Sequence, residues 1–313
     1  MPQLAKQLKL ALDEARILAL GNQVLVALAF RTAFEQRFAE LRYADQLIAL
    51  VATFFLLLAL AATMTPAARH QIVERGNPSP QLLEHVTRMV GLALLPFALA
   101  LGLTTYLAVL SLFPTPAAVC TAVAVSLLAA AAWYGLGLLH RQAHPAPEET
   151  DMSHDADQPD PPDGKLEERI NFALTEVRVV LPGAQALLGF QAAIMFTDAF
   201  TRLPASPKYA HLASLLLIVL TVILLMTPAA YHRIGERGRF SPHLHRLITR
   251  MLLAAMATLA LGISAELYVV ARKITQSHGV SLAIAAAMLA TFYALWFGYT
   301  LWTRKRLHSA AHS

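Results

Sequence analysis

Eight long apolar runs alternate with short charged segments along the chain. In the first half they lie at 17–34, 47–66, 89–110 and 117–139. In the second half they lie at 179–200, 212–228, 251–271 and 280–302. A helix that crosses a bilayer needs roughly 20 predominantly apolar residues, so each run predicts a spanning helix. The first is the weakest, because Arg31 interrupts it; a long side chain near a membrane boundary can reach the headgroups.

The charged segments repeat. Residues 65–88 read TPAARHQIVERGNPSPQLLEHVTR and residues 227–250 read TPAAYHRIGERGRFSPHLHRLITR, with 14 of 24 positions identical at a shift of 162. The same shift pairs Glu14 with Glu176, Arg16 with Arg178, Gly21 with Gly183 and Gln23 with Gln185. A period this long is a whole domain copied once, not a solenoid. The expected fold class is therefore all-α integral membrane. It consists of two tandem four-helix bundles, eight transmembrane helices in all. Residues 1–141 form the first repeat, 142–165 a disordered acidic Pro-rich linker and 166–313 the second. An even helix count leaves both copies in one orientation, as parallel repeats about a pseudo-twofold axis along the membrane normal.

Composition agrees with this reading. Of 313 residues, 57% are hydrophobic and 14% charged, against about 25% charged in soluble domains. Nine of the 20 acids lie within 140–168, so the membrane portion is more basic than the net charge of +5 implies. With both termini inside, 18 of the 25 Lys and Arg face the cytoplasm, which sets the orientation. The start lacks a signal-peptide pattern. Cys120 stands alone, without a disulfide mate or metal spacing. Basic residues do not cluster with aromatics in any soluble segment, which argues against nucleic acid as a partner. The expected contacts are the lipid bilayer and the other repeat, and the sequence leaves room for a homo-oligomer. Ser79-Pro80 and Ser241-Pro242 predict an N-cap and first-turn proline for the third helix of each copy. Gly76 and Gly238 predict left-handed caps ending the second.

Candidate sites follow from polar residues at membrane depth. Glu14-Ala-Arg16 and Glu176-Val-Arg178 open the two copies, and an ion pair at the boundary predicts Glu14 opposite Arg178, Arg88 or Arg16, with Arg250 the counterpart of Arg88. Gln23 and Gln185 lie seven residues beyond Arg16 and Arg178, giving a polar stripe that either glues helices or lines a path. His70 and Glu74, like His232 and Glu236, are four apart on one helical face; the expectation is interfacial hydrogen bonding with the neighbouring Arg residues, with no metal and no cofactor. Asp198 and Glu266 lie near outer ends and are matched by Gln36 and Thr104, so no carboxylate sits at midplane, where a proton- or cation-coupled transporter needs one. No nucleotide loop or nucleophile motif occurs, so no enzyme is expected.

The stretches TEVRVVLPGAQALLGFQ and TPAAYHRI resemble a family of small bacterial four-helix membrane proteins of unknown function. Its members show an E-x-R-x-x-x-P-G-x-Q opening and a P-x-A-x-H-R marker, and some are labelled sodium:proton antiporter. The first repeat departs at Leu20, which stands opposite Pro182, and at Arg69, opposite Tyr231. The resemblance implies the four-helix fold and a bacterial inner (plasma) membrane location. It brings no catalytic residues. The resulting expectation is a multi-spanning, non-enzymatic structural or regulatory module, with an ion or small-solute transporter using the repeat interface as the alternative.

Overall fold

A computed structural model describes residues 2–75, 77–143, 164–235 and 241–302. All regular structure there is helical. The first half contains α1 (Pro2–Thr32), a short α2 (Gln36–Ala39), α3 (Tyr43–Ile72), α4 (Pro80–Leu110) and α5 (Thr115–Ala130). A π turn (Ala131–Gly135) joins α5 to α6 (Leu136–Ala143) as one continuous rod. The second half repeats the order: α7 (Gly164–Ile194), α8 (Asp198–Thr201), α9 (Ala205–Ile234), α10 (Pro242–Thr275), α11 (His278–Tyr293) and a second π turn (Ala294–Tyr299). Most of the expected linker, Glu236 and the glycines 76 and 238 lie outside the described residues.

Seven of the described helices are long and apolar enough to cross a membrane. The eighth long helix, α1, has 31 residues but carries Lys6, Lys9, Asp13, Glu14 and Arg16 in its first half and Asn22 and Gln23 in its second. Its counterpart α7 does qualify. Large apolar side chains such as Phe54, Leu58, Leu127 and Leu282 lie exposed on the outer faces, as lipid contact requires and water would penalise.

The two halves share one internal plan. α3 packs on α4 and α9 on α10; α4 and α10 each pack on the helix that follows; α1 and α7 each pack on the second and third helices of their own half. Ser79 Oγ accepts the Leu82 N–H at 3.1 Å and Ser241 Oγ accepts that of Leu244 at 3.0 Å, which are the N-caps the Ser-Pro pairs predict. In the turn after α3, Arg75 adopts a left-handed conformation, with φ 51°; the left-handed cap expected at Gly76 falls on a residue outside those described. The Ser-Pro starts of α4 and α10 mark one face of the bundle, called here the marker face; the opposite, far face carries α2 and α8.

Both halves contribute to one continuous core. α1 lies along α7, while α9 is covered by α4, the first π turn and α6. An exact twofold would cover α3 in the same way with α10 and α11, and among the described residues no comparable contact forms. Hence 67% of the most apolar stretch of α9 is buried, against 22% for α3.

Candidate functional site

The most concentrated buried polar chemistry lies in the second half, toward the far face. His211 is the seventh residue of α9, about 9 Å along it at 1.5 Å per residue, and is fully buried. Its Nδ1 lies 2.9 and 3.0 Å from the two carboxylate oxygens of Glu266 on α10. Its Nε2 lies 3.0 Å from the Gln191 carbonyl of α7. The Gln191 amide donates to Ser214 Oγ at 2.6 Å and to Glu266 at 3.2 Å, and Ser214 donates to the Gly262 carbonyl at 2.7 Å. Three helices are thus pinned together by one imidazole, one carboxylate, one amide and one hydroxyl. A carboxylate in an apolar bundle is costly unless paired, and His211 supplies the pair. Chemically, the cluster sets a fully buried imidazole against a part-buried carboxylate. Phe200 covers the imidazole, with ring centroids 5.0 Å apart.

The equivalent place in the first half is a void. At the shift of 162, Gln191, His211, Ser214 and Glu266 become Ala29, Ala49, Ala52 and Thr104. All four line a largely apolar cavity of about 230 Å³. The second half closes its wall with Gly189, Met195 and Phe196, and exposed Phe30 and Leu50 stand at its mouth. One position in the fold is therefore filled by polar side chains in one copy and left open in the other.

The residues singled out in the sequence are distributed differently from expectation. Glu14 pairs at 2.7 Å with Arg233, from the last turn of α9, and with none of Arg178, Arg88 or Arg16. Only 14% of the Glu14 side chain and 7% of the Arg233 side chain are exposed. The pairing arises because the end of α9 lies beside α1 near Glu14, where residues of both helices line one small cavity. Arg233 stands opposite Gln71, so the duplication pattern gave it no prominence. Arg16 turns outward and pairs with Asp13 at 2.9 Å. Arg88, Arg250 and Glu176 lie exposed. Arg178 is half-buried beside Glu14 in a small cavity, with its Nε and Nη2 lacking hydrogen-bond partners. Glu74 lies 3.7 Å from the neighbouring Arg69, and the Nδ1 of His70 is buried without a hydrogen bond. His232 is buried at the end of α9; Glu236, four residues on, lies outside the described residues.

The glutamines split. Gln185 is buried against α1, its side chain occupying the space a Cβ on Gly21 would need. Gln23, its equivalent, is exposed on the outer face of α1. Among the described residues, the two cavities lined by both halves along the expected stripe hold only about 20 Å³ each. Toward the far face, Arg37 of α2 reaches Asp198 of α8 at 3.0 Å, a second ionic bridge between the halves.

His211 and Gln191 escaped the sequence reading, and Glu266 was read there only as an unduplicated acid. The available signal was joint: four polar residues of one copy all face Ala or Thr in the other.

Among known families, the family of unknown function (DUF6328) matches residues 2–137 and again residues 160–300. Neither a curated protein nor a solved structure matches the chain. The two matches cover most of the chain, which therefore belongs to this family as a fused pair: a multi-spanning membrane protein whose biochemical function its family leaves open.

Proposed function

We propose that this DUF6328 pair is a non-enzymatic binding module of the membrane that holds an apolar chain, such as a lipid acyl group, in the far-face cavity of its first half. The observation that carries the reading is the filled-versus-open pair of equivalent sites. A cavity of about 230 Å³ exceeds the ~150 Å³ apolar void that stays dry and takes up benzene. Its mouth opens beside exposed Phe30 and Leu50, on a surface suited to lipid. The second half, with Gln191, His211 and Glu266 in the same place, needs no guest and serves as the rigid support. In this reading α1 spans as well, giving eight crossings in two four-helix bundles. The marker face and both termini are cytoplasmic, and the location is a bacterial inner membrane.

Native mass spectrometry of protein extracted from membranes tests the proposal. Wild type should retain a lipid that Ala49→Leu/Ala52→Leu, designed to fill the cavity, loses without a fall in melting temperature. A photoreactive acyl chain should label Leu50 or Thr53. Equal lipid retention by the plugged variant, or labelling that ignores these residues, would sink the proposal.

The second reading is proton-coupled transport, favoured by the buried His211–Glu266 pair. The small cavities between the halves count against a path along the repeat interface. Proton flux in proteoliposomes that disappears in His211→Gln would favour transport over binding.

A further inference from the structure

The junction between the two halves is head-to-tail. α1 presents Gly21, Leu25 and Leu28; α7 receives them with Gln185 and Gly189. A Cβ on Gly21 would strike the Gln185 side chain, and one on Gly189 would strike Leu28. In a self-matching contact the equivalent residues would be buried as well. Apart from Leu187, equivalent to Leu25 and half-buried, they are exposed. Gly183, equivalent to Gly21, has nothing within 4 Å of where a Cβ would stand. Phe190, equivalent to Leu28, is exposed. On the other side, Gln23 and Ala27, equivalent to Gln185 and Gly189, are also exposed. The chain thus carries one used junction and both unused halves of the same junction.

A second contact repeats the pattern. Fully buried Trp133, in the first π turn, donates its indole N–H to the Ile223 carbonyl of α9 at 3.1 Å, a carbonyl that also accepts from Thr227 at 2.8 Å. After the one-residue insertion before the fourth helix the shift becomes 163, and AAWYG at 131–135 aligns with ALWFG at 294–298, so Trp296 is the equivalent indole. The equivalent carbonyl is that of Ala61 on the exposed face of α3, which accepts from Thr65 at 2.7 Å.

We infer that a second copy of this chain docks head-to-tail, with its α1 and α3 receiving the α7 and π-turn faces of the first. A heterologous contact leaves both complementary surfaces free at its ends, so further copies add until the rotation closes a ring or a row extends. Membrane energetics agree. An amide such as Gln23 on a lipid-facing surface is costly, and seating Gly183 of a neighbour against it removes it from lipid. The joint between copies is looser than the one within the chain. At the marker face, Gly137 approaches Ile234 and Gly235, but the equivalent residues are Thr300 and Val73, and Gln71 stands where Arg233 grips Glu14. Copies therefore associate reversibly, whereas the halves do not separate.

Two differently tagged chains, co-expressed in a Cys120→Ser background, test the inference. Gln23→Cys in one and Gly183→Cys in the other should cross-link between tags well above a Leu92→Cys/Leu127→Cys control pair. Gly183→Leu, whose side chain enters open space, should keep the melting temperature of wild type yet run as a single chain in native mass spectrometry. No cross-link above control, a Gly183-to-Gly183 cross-link stronger than Gln23-to-Gly183, or unchanged assembly in Gly183→Leu would each overturn the inference.

Discussion

Replacing Glu14 by Gln should cost this protein about 2–3 kcal/mol, while the same change at its repeat equivalent Glu176 should cost less than about 0.5 kcal/mol. Breaking a fully buried pair typically costs ~3–5 kcal/mol, because the remaining charge is stranded, and exposed carboxylates contribute close to nothing. Glu14 and Arg233, at 14% and 7% exposure, lie near the buried limit, but Arg233 belongs to the last turn of α9, where partial hydration trims the figure. The Arg233 guanidinium has one further acceptor, the Val86 carbonyl at 3.5 Å, too long to hold it unaided. Arg233→Gln should destabilise by a similar amount through Glu14. The double variant should recover most of the loss, since two neutral amides leave no stranded charge; the coupling should be about 2 kcal/mol. Unfolding in graded sodium dodecyl sulfate, followed by tryptophan fluorescence, measures all four proteins. If Glu14→Gln costs no more than Glu176→Gln, or the cycle is additive, the pair does not hold the halves and the reasoning fails.

Other outcomes follow from the same structure. His211→Ala should destabilise by about 2–4 kcal/mol, because it strands Glu266 in the bundle, and adding Glu266→Gln should return part of that loss in the same assay. Trp133→Phe keeps the stack on Phe97 but loses the bond to Ile223, for a cost of about 1 kcal/mol, whereas Trp133→Ala should cost about 3–5 kcal/mol. Reporter fusions after residue 155 and at the C-terminus should both read cytoplasmic; a periplasmic reading at either would remove the eight-span topology. Residues 1–145 and 165–313 expressed as separate chains should co-purify, because α1–α7 packing and the Glu14–Arg233 pair join the halves without the linker; failure to associate would show that these contacts are too weak alone.

Local and repeated features were legible in the sequence. Apolar run length gave the helices, the constant shift gave the duplication, and Ser-Pro gave the N-caps, since each depends only on neighbouring residues. What relates one half to the other was not. Identity between copies leads one to expect equivalent roles, yet Gln185 is buried and Gln23 exposed, because a head-to-tail contact uses opposite faces of equivalent helices. The partner of Glu14 was missed for the related reason that Arg233 has no basic counterpart at position 71. The His211–Glu266 cluster shows where divergence between copies carried the information. Four simultaneous exchanges, from Gln, His, Ser and Glu to Ala, Ala, Ala and Thr, changed what one site holds while leaving the helices in place.

The π turn at Ala131–Gly135 makes the fourth helix of the first half a rod with two phases. An α-helix advances about 100° per residue, and one extra residue in a turn rotates everything beyond it by that angle. Before the turn, Val123 and Leu127 point outward as lipid contacts; after it, Gly137 meets Ile234 and Gly235. Were the same residues wound as ordinary α-helix, Gly137 would swing aside by about 100° and Leu136 would stand against the end of α9. One surplus residue thus lets a single helix serve lipid along one half of its length and a protein neighbour along the other.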